Sequence, residues 1–437
     1  MNTWSLALRN VWRNTRRTTA TVLAIALSCA GLMLFGGYIS WAHLASEVHA
    51  VMLSGHIQLF QQGFLDKGSG NPAAYALANY GELHDLLAHD PVLGPKLEVL
   101  TGQLIVQGIA SCAAQKTSAT FSGVGAFPGD IERILRWNPY GLTEARNIPA
   151  NRHLFAAGPE LDANDPEGIT IGAGLARVLE VKADEAAGKE RPSLELMSLP
   201  PSGGLPNMVS GTVRQISIRA LEEIDNHLVV LPLQMASELM FPGEPVHVTS
   251  VQLLLRSTSD LPAVQQRIAE LNAQHHLGLE QRTCWEMNPN NVRSLGMVDM
   301  FFAFAFCIVA VVLVFTIYNT MMTGIVERTR EIGAIRAMGV TRGGIVAMFV
   351  QEGIVLGLIG GAAGVALGLV AAWGINHAMI LYTPPYFNVQ AKLEVLCARP
   401  PTIILASFLS CFLIALIAAF FPARRASRME IAEALRH

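Results

Sequence analysis

Four long stretches without a charged residue constrain the fold of this chain more than any other feature of its sequence. They run from Thr18 to Ser46, from Met300 to Val326, from Gly353 to Ala391 and from Pro400 to Ala423. Each is rich in apolar residues and exceeds the roughly 20 residues with which a helix crosses about 30 Å of hydrocarbon. Because lipid offers no partner for backbone polar groups, such a segment must be helical. The sequence therefore predicts transmembrane helices at residues 20–42, 301–325, 350–376 and 402–421.

The first stretch has one alternative, a cleaved signal peptide. The apolar core of a signal peptide is about 7 to 15 residues long. This stretch is longer, and no small-x-small cleavage site is obvious after Ser40. We therefore expect an uncleaved membrane anchor.

The charged residues are few and unevenly distributed. Only 15% of the residues are charged, against about 25% in an ordinary soluble domain, which argues against a purely cytosolic enzyme. Residues 43–299 hold 17 basic and 28 acidic side chains, whereas the rest of the chain holds 14 basic and 6 acidic ones. This asymmetry is typical of a membrane protein with a large external domain.

Arginine clusters predict the orientation of the four spans. They precede the first span, separate the second from the third and follow the fourth, as Arg9, Arg13, Arg16, Arg17, Arg328, Arg330, Arg336, Arg342, Arg424, Arg425, Arg428 and Arg436. Short flanks rich in arginine face the cytoplasm. We therefore expect a cytoplasmic leader at 1–19, a cytoplasmic tail at 422–437, and external segments at 43–299 and 377–400.

The leader carries a second pattern. Trp4, Leu8, Val11 and Trp12 recur at helical spacing, and basic residues line another face. This predicts an amphipathic helix on the inner leaflet. A role as an orientation signal alone explains the arginines as well.

The external segment at 43–299 mixes strand-like alternating runs with helix-like runs, which favours an α+β domain. A tract rich in Pro and Gly, Glu185 to Asn207, indicates a subdomain boundary or a mobile loop. We expect two lobes, with a segment near 115–215 inserted into the other. The predicted fold class is thus an α-helical membrane protein with four transmembrane helices and a large external α+β domain.

The external domain contains little that indicates chemistry. It has no G-x-S-x-G elbow and no H-E-x-x-H motif, so we expect neither catalytic residues nor a metal site in this chain. Cys112 and Cys284 would share an oxidising compartment and could pair, but only their location supports a disulfide.

The segment at 326–344 carries the clearest functional pattern. Ile332, Ile335 and Met338 form an apolar stripe on a short predicted helix, and mixed charges lie near the membrane exit. A helix of this kind suits the groove of a partner protein; a solvated positive-inside loop is the alternative. The residues assigned to partner contact are Glu327, Arg328, Arg330, Glu331, Ile332, Gly333, Ile335, Arg336, Met338 and Gly339.

The third span carries glycines four residues apart. They form two series, Gly353, Gly357, Gly361 and Gly360, Gly364, Gly368. Small residues at this spacing let helices approach closely, so we expect helix packing here, either within the subunit or across a dimer. Simple tolerance of glycine in lipid is the alternative. Glu352 is costly inside a membrane, and we expect it at the inner edge, facing solvent or Arg342.

With these motifs the chain resembles the FtsX-like permeases of ABC transporters, the family that includes the MacB export and LolC/LolE lipoprotein-release systems. The matching motifs are the leader at 8–17, the segment at 327–339, Glu352-Gly353, and the segments at 421–426 and 431–436. Gly55 to Phe60, Ile171 to Ala176, and Trp285 with Asn288-Pro289 resemble the lipoprotein-release branch.

The resemblance implies a permease of the bacterial inner membrane that has no ATPase of its own. A separate cytoplasmic ABC ATPase dimer would bind ATP and Mg and grip the coupling helix at 326–344, and this chain would hold no cofactor. A second permease copy or paralogue, membrane lipid and a periplasmic client or adaptor would be its other partners, with no nucleic acid. The absence of a G-x-x-x-x-G-K-[ST] loop agrees with this.

The activity that the resemblance implies is coupling of ATP hydrolysis to movement of the periplasmic domain. Its purpose would be lipoprotein release or translocation, or export of an envelope client. The alternative is an FtsX-type regulator that transmits mechanical signals to a periplasmic cell-wall hydrolase.

Overall fold

A computed structural model describes residue 13 and residues 15–143, 147–148, 165–182, 191–217, 222–383, 390–397 and 401–429. The chain divides into two compact units. The helical unit comprises Met1–Leu44, Arg293–Ile380 and Leu393–His437. The α+β unit comprises Ala45–Val292 and Leu381–Lys392. Most of the predicted leader and residues 430–437 of the predicted tail lie outside the described residues.

Helices dominate the first unit and alternate with strands in the second. The helices are α1 (Thr15–Ser54), α2 (Phe64–Lys67), α3 (Tyr80–Ala88), α4 (Pro128–Leu135), α5 (Ala173–Val178), α6 (Glu222–Asp225), α7 (Leu233–Met240), α8 (Leu261–His275), α9 (Cys284–Met287), α10 (Pro289–Glu327), α11 (Thr329–Ala337), α12 (Arg342–His377) and α13 (Thr402–Ser427). The strands are β1 (Ile57–Gln61), β2 (Leu97–Cys112), β3 (Thr117–Ala126), β4 (Gly168–Gly172), β5 (Ser193–Ser198), β6 (Asn207–Ser217), β7 (Leu228–Pro232), β8 (Ser250–Leu255), β9 (Leu279–Thr283), β10 (Leu381–Tyr382) and β11 (Ala391–Lys392).

Four helices, α1, α10, α12 and α13, are long and apolar enough to cross a membrane. This confirms the prediction of four apolar helices. All four are longer than the predicted spans, at 40, 39, 36 and 26 residues. Hydropathy marks the part of a helix that suits lipid, whereas the helix itself continues until a cap or a break in its hydrogen bonds ends it.

In the helical unit, α12 contacts both α1 and α13 through its glycines. Gly360, Gly364 and Gly368 lie against α1, and a Cβ atom on Gly360 would come within 2.7 Å of the Cβ atom of Ile25. Gly360 and Gly364 therefore need glycine for the observed helix separation, whereas a Cβ atom on Gly368 would first meet the flexible end of the Met33 side chain.

The second glycine series of α12 packs against α13. Gly353, Gly357 and Gly361 lie against α13, and a Cβ atom on Gly353 would come within 2.6 Å of the Cβ atom of Ala419. Both glycine faces of α12 are therefore used for packing within one chain.

The α+β unit contains a nine-stranded sheet of order β3-β7-β4-β6-β5-β2-β8-β1-β9, with a further pairing of β3 and β2. That pairing closes six of the strands into a ring. The 16-residue strand β2 pairs with β8 along residues 97–103 and with β3 along residues 103–112. The predicted division into two lobes is not confirmed, because β2 joins the ring and the remaining strands in one continuous sheet.

The tract rich in Pro and Gly forms part of a hairpin. It contains β5 and the turn into β6, where Gly203 and Gly204 have φ angles of 79° and 108°, a backbone region that glycine adopts without strain. Residues 183–190 of this tract lie outside the described residues. The thiols of Cys112 and Cys284 are free and buried, so the possible disulfide between them is not formed.

A buried polar network fixes the end of α1 within the α+β unit. Nδ1 of His56 accepts the backbone N–H of Leu255 at 3.0 Å, and its Nε2 lies 3.1 Å from Oγ1 of Thr258. Thr258 and Tyr140 donate hydrogen bonds to Oε1 of Glu47 at 2.5 and 2.7 Å. Burial, followed by the bond to Glu47, raises the pKa of Tyr140 to about 12, so this hydroxyl remains a donor.

Candidate functional site

The predicted coupling segment contains one short helix between two long ones. The helix α10 ends at Glu327, and Arg328 departs from helical geometry with φ −111° and ψ 16° before α11 begins. Gly339, with φ +97°, follows the end of α11. The side chain of Thr341 then caps α12 by accepting the N–H of Gly344 at 3.2 Å. The fold thus exposes a single short helix between two sharp bends.

The inner face of α11 is covered by the chain itself. Ile332 is 2% exposed and packs in a cluster with Ile325, Phe349 and Ala423. Gly333 is also buried, and Ile335 is half-buried against the same cluster. The expectation of an apolar stripe left open for a partner is therefore wrong for Ile332 and only partly right for Ile335, because α12 and α13 cover this face.

The outer face of α11 is open. Arg330 and Glu331 are exposed, and Met338, directly after the helix, is 73% exposed. Of the predicted apolar stripe, Met338 is the member that stays available to a partner.

Arg336 points in another direction. Its guanidinium donates a hydrogen bond to the backbone carbonyl of Met429. This arginine therefore binds the backbone two residues beyond the end of α13, and its side chain is half-buried.

Charged side chains from three chain segments meet where α10 joins α11. Exposed pairs join Arg13 to Glu331 at 2.8 Å and Arg17 to Glu327 at 3.2 Å. These pairs account for acidic residues in a segment where orientation alone requires only basic ones.

A buried acid lies beneath the exposed pairs. Glu352 is 4% exposed; its Oε1 atom is 3.9 Å from Nη2 of Arg17, and its Oε2 atom is 3.7 Å from Nη1 of Arg328. Burial lowers the pKa of Arg328, and the charge of Glu352 opposes that shift.

The expectation that Glu352 faces solvent or Arg342 is wrong. Arg342 and Glu352 are ten residues apart on α12, which separates them by about 15 Å along the helix axis. Arg342 is exposed at the helix start, so the acid pairs instead with residues from other segments. One feature of the sequence did indicate a pairing. Glu352 stands at the edge of an uncharged stretch, where an acid requires a basic partner.

The remaining predicted residues fall into two groups. Glu327, Arg330, Glu331, Met338 and Gly339 are exposed around α11, whereas the six glycines of α12 pack inside the helical unit. In the described part of the chain, no group of three or more His, Cys, Asp or Glu side chains could hold a metal ion.

Several known proteins are similar to parts of this chain. Residues 303–431 match the family model described as FtsX-like permease C-terminal. The macrolide export ATP-binding/permease protein MacB of Pectobacterium atrosepticum is 30% identical over 194 residues, which cover 43% of this chain and 27% of that protein. The lipoprotein-releasing system transmembrane protein LolC of Neisseria meningitidis serogroup B is 20% identical over 275 residues, 62% of this chain and 65% of LolC.

A solved structure is also similar. The periplasmic region of MacB from Actinobacillus actinomycetemcomitans aligns with 54% of this chain and 91% of that chain, at 10% identity and a TM-score of 0.32. The chain spans about a quarter of the length of the Pectobacterium relative that it matches.

Proposed function

We propose that this chain, which carries an FtsX-like permease C-terminal domain and has MacB and LolC as homologues, is the membrane subunit of an ABC complex in a bacterial inner membrane. A separate cytoplasmic ATPase dimer binds ATP and Mg and docks on α11. A second permease, identical or paralogous, completes the membrane part. The α+β unit lies in the periplasm and moves when the ATPase closes.

The observation that carries this proposal is the asymmetry of α11. Its inner face packs on α12 and α13 through Ile332, while Met338 and Arg330 are exposed on the outside. A helix that is anchored on one side and open on the other transmits a force from a bound partner to the helices that it contacts.

The proposed orientation rests on the arginine flanks. Arg13 and Arg17 precede the apolar part of α1, and Arg424 and Arg425 lie in the last turns of α13. Basic residues of this kind remain on the cytoplasmic side, which supports a cytoplasmic position for α11, within reach of the ATPase.

Met338→Glu is expected to weaken binding of the ATPase by about tenfold or more, because loss of an apolar anchor at an interface costs on the order of 1 to 2 kcal/mol or more. The ATPase is first isolated from native membranes by its binding to the tagged wild-type chain. Its affinity for each full-length variant is then measured in detergent. Met208→Glu is the matched control, because Met208 is also exposed, at 54%, but belongs to the α+β unit. Equal binding by both variants would contradict docking on α11.

The client surface that we propose is the hairpin of β5 and β6. Residues 198–213 carry no charge, although the α+β unit is acidic, and Leu205 at the turn is 88% exposed. Met208 pairs with Met197, and Met197 pairs with Ile109, so three exposed apolar side chains lie in a row across neighbouring strands. An exposed apolar row of this kind marks an interaction surface. It suits an acylated lipoprotein, or a carrier that receives one.

A photo-crosslinking residue at Leu205 is expected to capture this client in intact cells, and one at Val178 is not. Both positions are exposed in the α+β unit, but Val178 ends α5 and lies beside residues 118–120 of β3 rather than in the hairpin of β5 and β6. Leu205→Asp is expected to reduce capture by about tenfold, because a charge at the centre of an apolar contact remains desolvated. Mass spectrometry identifies the adduct. A lipoprotein or its carrier supports release, whereas a cell-wall hydrolase or its adaptor supports the regulatory alternative and overturns lipoprotein release.

A further inference from the structure

Glu352 joins three segments of the helical unit that are distant in sequence. Its two oxygens face Arg17, which belongs to α1, and Arg328, the residue between α10 and α11. The acid itself lies on α12. One buried carboxylate therefore lies where the chain bends into the short helix α11.

The backbone of α10 is shaped to admit Arg17 to this cluster. A Cβ atom on Gly324 would overlap Nη1 of Arg17 and would lie 2.7 Å from its Cζ atom. The guanidinium therefore passes directly over the backbone of the last turn of α10. It reaches Glu352 on one side and Glu327 on the other.

The buried pairs are looser than the exposed ones. Charge-assisted hydrogen bonds have donor–acceptor distances of about 2.7 to 2.9 Å, and the pairs of Glu352 measure 3.7 and 3.9 Å. Among the described residues, none donates a hydrogen bond to Oε2 of Glu352. A buried ion pair of this geometry contributes little net stability, because desolvation offsets the attraction. Its effect is to fix the relative positions of the segments that supply the charges.

From this geometry we infer that Glu352 is the positioning residue that holds the bend at Arg328 against α1 and α12. This inference rests on the proposed function of α11 as the docking helix. With Glu352 in place, a displacement of α11 moves α1 and α12 together with it. Without Glu352, the bend at Arg328 absorbs the displacement.

Spin-label distances between Ala337 on α11 and Ala363 on α12 test this inference in the full-length chain. Both positions are exposed, and the exposed Cys307 is replaced by Ser. Labelled chains are diluted with unlabelled ones, so that each distance arises within one chain. Wild type is expected to give one narrow distance, and Glu352→Gln a distribution about twofold broader, because a bend without its partner samples more than one conformation.

The matched control is Glu327→Gln. It also neutralises an acid paired with Arg17, but this acid is exposed, whereas Glu352 is buried. The control is expected to keep the narrow distance. The charge exchange Arg328→Glu with Glu352→Arg is expected to restore it, which a purely steric role of Glu352 would not produce. If Glu352→Gln does not accumulate, Arg328→Gln is used instead. It removes the basic partner of the same pair and is expected to broaden the distance distribution equally.

A second measurement adds the ATPase and a non-hydrolysable ATP analogue. In wild type the distance between 337 and 363 is expected to stay constant, because α11 and α12 move as one body. In Glu352→Gln it is expected to change. An unchanged narrow distance in Glu352→Gln without the ATPase would overturn the inference. Failure of wild type to bind the ATPase would overturn the proposed function alone, since the first measurement does not involve the ATPase.

Discussion

Gly364→Leu is expected to separate α1 from α12 and to destabilise the helical unit by about 3 kcal/mol or more, because overpacking in a close helix contact forces the backbones apart. A Cβ atom at this position would already lie 2.6 Å from the Cβ atom of Cys29 and 2.7 Å from the carbonyl oxygen of Ala26. Neither atom is at the end of a flexible side chain. The leucine therefore finds no space unless α1 moves as a whole. The thermal unfolding midpoint in detergent and the yield of monodisperse protein report the loss.

Gly374→Leu is the control on the same helix. No atom outside the helix lies within 4 Å of a Cβ at this position, so the larger side chain is accommodated. Replacing glycine inside a helix removes a propensity cost of up to about 1 kcal/mol, which predicts an unchanged or slightly higher midpoint. Equal loss of stability in both variants would show that the glycine face of α12 does not pack against α1.

Acidification from pH 6.5 to pH 4 is expected to destabilise the α+β unit through His56 by about 3 kcal/mol. Burial lowers the pKa of this histidine to about 4, from an ordinary value of about 6.5 in the unfolded chain. Between these values the unfolded state binds one more proton than the folded state, so stability falls as the pH falls. Protonation of Nδ1 would also break the bond from the N–H of Leu255. Above about pH 6.5 the contribution of His56 is complete.

The free energy of unfolding of the full-length chain, measured at several pH values, tests this expectation. His56→Gln removes the titrating group, so its stability should fall less steeply over the same interval, although it starts lower. His275→Gln removes an exposed histidine at the end of α8 and should follow the wild-type profile. If the wild-type and His56→Gln profiles run parallel, His56 does not bind its proton in the manner described.

The apolar helices were predictable from the sequence because hydropathy over 20 residues is a local property. The glycine spacing of α12 predicted close packing for the same reason. The neighbours of those glycines were not predictable, since the contacts of Gly364 with α1 and of Gly353 with α13 join residues far apart in the chain. The glycine spacing alone was compatible with packing within one subunit and with packing across a dimer.

The burial of Ile332 and Glu352 and the closure of the sheet also could not be predicted from local sequence. An amphipathic pattern in α11 indicated that one face is buried, but it did not tell whether a partner or the chain itself buries Ile332. The pairing of β3 with both β2 and β7 closes the ring of strands, and no short-range signal encodes such a closure. The prediction that Glu352 faces solvent or Arg342 was wrong because its partner Arg17 lies more than 300 residues away in sequence.

One consequence follows from the length of α1. This helix runs for 40 residues without interruption, from Thr15 to Ser54, which corresponds to a length of about 60 Å. A hydrocarbon layer about 30 Å thick would cover roughly 20 of these residues. The rest of the helix would then lie in water or against protein, and two of its residues, Arg17 and Glu47, are held by side-chain partners.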